Sequence, residues 1–149
     1  MSELRDLYQD VILDHSKKPR NFGALENAQS ARGHNPLCGD QLTVYVQVDD
    51  GVIADLKFDG SGCAISTAAA SMMTQTLKGK TVEEAEAIFK RYHEMVTGTD
   101  GIEDHMETLG KLAAFEGVSE FPVRVKCATL SWHTLRAAIE NQAEPVTTE

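Results

Sequence analysis

Positive charge is scarce in this 149-residue sequence: 14 Lys and Arg stand against 23 Asp and Glu, for a formal charge of -9 and a pI near 5.0. A phosphate backbone or an anionic lipid surface is recognised by a concentrated basic patch, so neither a nucleic acid nor a membrane is expected as a partner. Long apolar runs are missing as well, and none reaches the length of a membrane span. Where a secretory leader would carry an apolar stretch, the first residues hold Glu3, Asp6, Asp10 and Asp14. A soluble, cytoplasmic protein is the expectation. There are only 3 cysteines, an odd number that does not make a disulfide framework, so reduced thiols available for metal or sulfur chemistry are expected. Core material is plentiful: 42% of residues are apolar, enough for one domain spanning 1–149.

Periodicity divides the chain into elements. Leu4, Leu7, Tyr8, Val11 and Ile12 form a helical stripe that Lys17, Lys18 and Pro19 end. Residues 21–34 carry a weak polar pattern that suits a loop with a short edge strand. Leu42, Val44, Val46 and Val48 then alternate with polar neighbours, and after Asp49-Asp50-Gly51 a second alternation runs through Val52, Ala54, Leu56 and Phe58. Two alternating runs across a D-G turn predict a hairpin. The run from Cys63 to Leu77 predicts a helix, and Thr81 with Glu84 forms a capping box opening another through Val82, Ala85, Ile88, Phe89, Tyr92 and Val96. An apolar patch follows at Leu109, Leu112, Ala113 and Phe115, then Pro122 and a last helix through Ala128, Trp132, Leu135, Ala138 and Ile139, with Cys127 directly before it. The tail from Glu144 to Glu149 is expected to be frayed. Strands grouped before helices predict an α+β fold, a small antiparallel sheet of about three strands with helices on one face and at the ends. Segment 81–120 reads as an acidic, insertion-like stretch, with ten acids against Lys90, Arg91 and Lys111. It is either a solvated face or a docking surface for a basic partner.

Each cysteine falls near a predicted element boundary: Asn35-Pro36-Leu37-Cys38-Gly39-Asp40, Gly60-Ser61-Gly62-Cys63 and Arg124-Val125-Lys126-Cys127. Cys63 and Cys127 are expected at helix N-termini, where the helix dipole and free N–H groups favour the thiolate, with Arg124 and Lys126 adding to the effect at Cys127. Three thiolates and one carboxylate close a tetrahedron, and Asp40, two residues after Cys38, supplies the fourth donor. Cys38, Asp40, Cys63 and Cys127 are therefore a candidate metal set, with Arg124 and Lys126 offsetting its charge. An oxygen donor among soft ligands suits an exchangeable site better than a structural one.

At these motifs the chain resembles the IscU/NifU N-terminal family of iron-sulfur cluster assembly proteins, and the similarity extends to Leu7-Tyr8 and Asn21-Phe22-Gly23. Lys126 stands where the IscU scaffold has a His, and the segment before Cys127 is long, which points to the SufU-type branch. Glu120-Phe121-Pro122-Val123-Arg124 matches the scaffold's chaperone-binding motif only in part. The resemblance implies a Zn2+ ion on Cys38, Asp40, Cys63 and Cys127. It also implies a zinc-dependent sulfurtransferase role: a sulfur-transfer partner of a SufS-type cysteine desulfurase rather than a stand-alone enzyme, passing sulfur to downstream iron-sulfur assembly proteins or apo-acceptors. Cys38, on a loop between Pro36 and Gly39, is the expected sulfur acceptor, and Arg124 a residue for partner docking or ligand exchange. The alternative is a scaffold that builds an iron-sulfur cluster on Cys38, Cys63 and Cys127. A zinc hydrolase and a purely structural zinc are further readings, the first lacking a recognisable general base. Ser66 and Thr67 have no His or acid at a telling spacing, and His15, His34, His93, His105 and His133 show no ligand-pair spacing. Met72, Met73 and Trp132 read as core.

Overall fold

The hairpin organises the molecule. In the structure, a computed structural model, residues 2–98, 109–141 and 146–147 are described, with backbone alone for 2–8 and 147. Strands β2 (Asp40–Asp49) and β3 (Val52–Ser61) pair antiparallel across a two-residue turn in which Asp50 (φ 52) and Gly51 (φ 78) are both left-handed. That is the turn whose twist suits a hairpin and which the D-G pair favours. β1 (Gln29–Asn35) pairs antiparallel with the other edge of β2, and β4 (Val146–Thr147) pairs parallel with β1, giving the order β3-β2-β1-β4. The three antiparallel strands are those expected. Val146 and Thr147, expected in a frayed tail, instead pair with Gly33 and His34.

The inward face of β3 differs from the expected alternation. Register steps from Gln47 opposite Asp55 to Val48 opposite Ile53, leaving Ala54 as an extra residue in a bulge. The bulge reverses the phase, so Ile53 is fully buried with Leu56 and Phe58 while Ala54 is exposed. β1 is a full strand rather than a short edge segment. Its inward residues are Ala31, Gly33 and Asn35, too small or polar to mark it by hydrophobicity.

Helices cover the inward face. α1 (Ser2–Lys17) packs on α2 (Ala64–Leu77), α2 lies against β3, and α3 (Val82–Thr97) is followed by a 3₁₀ segment (Gly110–Glu120). α4 (Pro122–Ile139) crosses β1 and β2. Val11 and Ile12 pack on the core as expected; Leu4, Leu7 and Tyr8 have side chains outside the described residues. The capping box is present, with Thr81 Oγ1 accepting from the Glu84 amide and the Glu84 carboxylate from the Thr81 amide, both at 3.0 Å. Leu109, Leu112, Ala113 and Phe115 are buried, as are Met72, Met73 and Trp132, the last stacked on Tyr92 at 4.6 Å. His15 is buried too, its Nδ1 2.7 Å from Ser71 Oγ, which ties α1 to α2. Of the acidic segment, Glu86 pairs with Arg136 at 2.8 Å, while Asp100, Glu103, Asp104 and Glu107, like His105, lie outside the described residues.

Candidate metal centre

Three strand ends and two helices converge. β1 ends at Asn35 and β2 begins at its pairing partner Asp40, so residues 36–39 must reverse the chain in four steps, with Gly39 left-handed (φ 69). This turn presents Cys38 half-buried beside Leu37, which is 61% exposed. β3 ends at Ser61, and Gly62 leads into Cys63, the N-cap of α2. Gly62 passes against Asp40: a Cβ there would sit 2.6 Å from Asp40 Oδ1. The close approach lets the Cys63 amide donate to Asp40 Oδ1 at 2.8 Å.

Three of the four expected donors form one group, with Cys63 beside Asp40 and Cys127. Cys127 Sγ lies 3.0 Å from Cys38 Sγ, and one donor atom each from Cys38, Asp40 and Cys127 falls within 4.8 Å of the others. Cys63 Sγ is 3.9 Å from Asp40 Oδ2 and shares a hydrogen bond with the Cys127 thiol. Asp40 is wholly buried and Cys127 nearly so. Tetrahedral zinc, with bonds of roughly 2.0–2.3 Å, spaces its ligand atoms about 3.3–3.8 Å apart. The 3.0 and 3.9 Å separations bracket that spacing, and three thiols with one carboxylate are donor types that zinc takes.

The thiols differ in character. Cys63 is pulled down to about 7, first by the hydrogen bond from Cys127 and then, against the cost of burial, by the Ser66 and Ile65 amides of the first helical turn. Cys127 is pushed up because it donates to Cys63, is buried and adjoins Cys38. Its expected place at a helix N-terminus is corrected: α4 begins at Pro122, so Cys127 lies inside the helix, where the first-turn amides do not face it. The expected basic neighbours are not on it either. Arg124 is exposed with its guanidinium 4.8 Å over the Phe121 ring, and neither its side chain nor that of Lys126 makes a hydrogen bond or ion pair among the described residues. His34 is outside the donor group, on the opposite sheet face in an open cleft of about 550 Å³ with Arg32, Gln41, Thr43 and Ser61.

One residue escaped the sequence reading as a working part. Asn35 is fully buried, with Nδ2 3.5 Å from both Asp40 Oδ2 and Cys127 Sγ. Asn is disfavoured within strands, and one placed next to a Pro-x-Cys turn was a usable signal.

The model of the NifU-like N terminal domain matches residues 7–128. The zinc-dependent sulfurtransferase SufU of Bacillus subtilis (strain 168) is 43% identical over 141 residues, 95% of each chain. The iron-sulfur cluster assembly scaffold protein IscU of Streptococcus pyogenes serotype M1 is 41% identical, covering 96% of this chain and 89% of its own. A crystal structure from Fervidobacterium islandicum AW-1, given as an assembly scaffold for the SUF system, superposes with a TM-score of 0.81 at 38% identity, over 91% of this chain and 98% of its own. No helix among the described residues is long and apolar enough to cross a membrane.

Proposed function

This chain belongs to the family of NifU-like N-terminal domains, and on that premise we propose that it is a zinc-dependent sulfurtransferase of iron-sulfur cluster assembly. It is a cytoplasmic carrier that takes persulfide sulfur from a SufS-type cysteine desulfurase and passes it to downstream assembly proteins or apo-acceptors. The observation that carries this reading is the convergence of one accessible thiol with a buried thiol and a buried carboxylate. Cys38, Asp40, Cys63 and Cys127 are the residues to hold zinc, which when bound keeps thiols deprotonated and shields them from oxidation. Cys38 is the acceptor because it combines partial exposure with a turn that no regular element restrains. Its thiolate attacks the terminal sulfur of the desulfurase persulfide. A sulfur–sulfur bond forms at Cys38 Sγ, the bond to the desulfurase cysteine breaks, and that cysteine leaves as a thiolate and takes a proton from solvent. No oxidant or reductant is consumed. Arg124, exposed beside the mouth of α4 and free of ion pairs among the described residues, is suited to docking or to ligand exchange.

A second reading, a scaffold on which an iron-sulfur cluster is assembled, is favoured by the streptococcal relative at similar identity and would use the same donors. Zinc, iron and acid-labile sulfide per chain, measured on anaerobically purified protein, divide the two. We expect about one zinc and no sulfide, with persulfide labelling by a desulfurase lost in C38A. Iron with matching sulfide would replace the sulfurtransferase by the scaffold.

A further inference from the structure

Asn35 closes β1 and is fully buried. Its amide group has two donors and one acceptor, and the structure uses both kinds. Oδ1 accepts the Leu37 amide at 3.3 Å, which shapes the turn that carries Cys38. Nδ2 faces Asp40 Oδ2 and Cys127 Sγ, each at 3.5 Å. A neutral amide donates to a carboxylate and to a sulfur, thiol or thiolate, without titrating and without bringing a charge into a buried site, which suits it to hold both donors at once. Asp40 is fixed a second time by the Cys63 amide, and Cys127 by its place inside α4. Cys38 has no comparable restraint. It sits on the turn, and among the described residues its one hydrogen-bond partner is the Cys127 thiol.

We propose that Asn35 is a positioning residue that locks Asp40 and Cys127 as the fixed half of the donor set, against which the Cys38 of the proposed function moves. The ordering rests on the sulfurtransferase reading; the lock does not, because it concerns contacts present in the metal-free chain. The competing explanation is that Asn35 merely shapes the turn through Oδ1. Asn35→Ser separates the two, since a serine hydroxyl can accept the Leu37 amide but lacks the reach and the second donor to span Asp40 and Cys127.

The experiment uses the full chain loaded with zinc, opened by stepwise addition of EDTA and pulsed with iodoacetamide, with each cysteine peptide quantified by mass spectrometry. In the unmodified chain Cys38 is labelled first and Cys127 last. In N35S, with helix content unchanged by circular dichroism, zinc is retained about 10- to 100-fold more weakly and the preference for Cys38 over Cys127 collapses. Wild-type zinc retention and labelling order in N35S would overturn the proposal. If N35S does not fold, the unmodified chain decides: Cys127 labelled before or together with Cys38 overturns it as well. Iron and sulfide in place of zinc in the isolated protein would sink the sulfurtransferase reading alone, while protection of Cys127 in the metal-free chain, lost in N35S, would still report the lock.

Discussion

Two helices each deliver a cysteine to one centre, by opposite means. α2 delivers Cys63 from outside its first turn, as the N-cap, with Sγ accepting the Ser66 amide at 3.4 Å. α4 delivers Cys127 from inside, beyond its first turn, on a helix whose buried face includes Leu130, Trp132 and Leu135. The hydrogen bond from Cys127, and after it the Ser66 and Ile65 amides, drive Cys63 toward the thiolate; the same hydrogen bond, burial and Cys38 hold Cys127 as a thiol. The cap position adds first-turn amides on one side of that hydrogen bond, and the interior position adds none on the other. Capping also makes Cys63 part of its helix's own stability, whereas Cys127 depends on where the core sets α4.

Two comparisons test that contrast, and a third tests how α2 itself is held. The largest effect is expected from Trp132→Ala, which removes the ring stacked between α4 and α3 and costs about 3–5 kcal/mol in urea denaturation. In EDTA-treated protein it should raise iodoacetamide labelling of Cys127 far more than that of Cys63, and equal increases would mean that core packing does not position Cys127. A smaller effect separates cap from interior. In EDTA-treated protein C63A should be less stable than C63S by roughly 1 kcal/mol, the worth of an N-cap, whereas C127A and C127S should lie within about 0.5 kcal/mol, a mid-helix Ser being nearly neutral. A matching difference at both positions would abolish the distinction. The smallest expected effect concerns the pin between α1 and α2. Burial holds His15 below its ordinary value of 6.5, so the folded chain binds fewer protons there than the unfolded one. That contribution to stability is fully present above pH 6.5 and is lost as pH falls through the lowered folded value. His15→Gln should flatten the acid limb of the stability–pH curve, and an unchanged limb would exclude the pin as its source.

The same contrast explains what the sequence disclosed. The α2 end was legible because Gly-Ser-Gly-Cys before an Ala-rich run marks a boundary, and the D-G turn and Thr81–Glu84 box were legible because each is a local rule that the fold keeps. The start of α4 was misread because Pro122 looks like a breaker, although Pro is well placed at the first helical position, and because Arg124 and Lys126 hide the apolar face. The Ala54 bulge left no mark, since Val52-Ile53-Ala54 is apolar in either phase. Cys38, Asp40 and Cys127, which the structure groups, were readable from motif and residue type. The span of Asn35 between Asp40 and Cys127 was not, because it joins residues 92 positions apart and exists only once α4 lies across β1.

Gly62 carries a consequence of another kind. It donates nothing and holds no charge, yet the space its missing side chain leaves is filled by the Asp40 carboxylate. Its backbone is not left-handed, so alanine is conformationally acceptable there; what alanine cannot do is share that space with Asp40. Since a glycine codon becomes an alanine codon by one base change, a descendant could lose its chemistry in a single mutational step and keep its shape. At this position inheritance of function and inheritance of fold can part company.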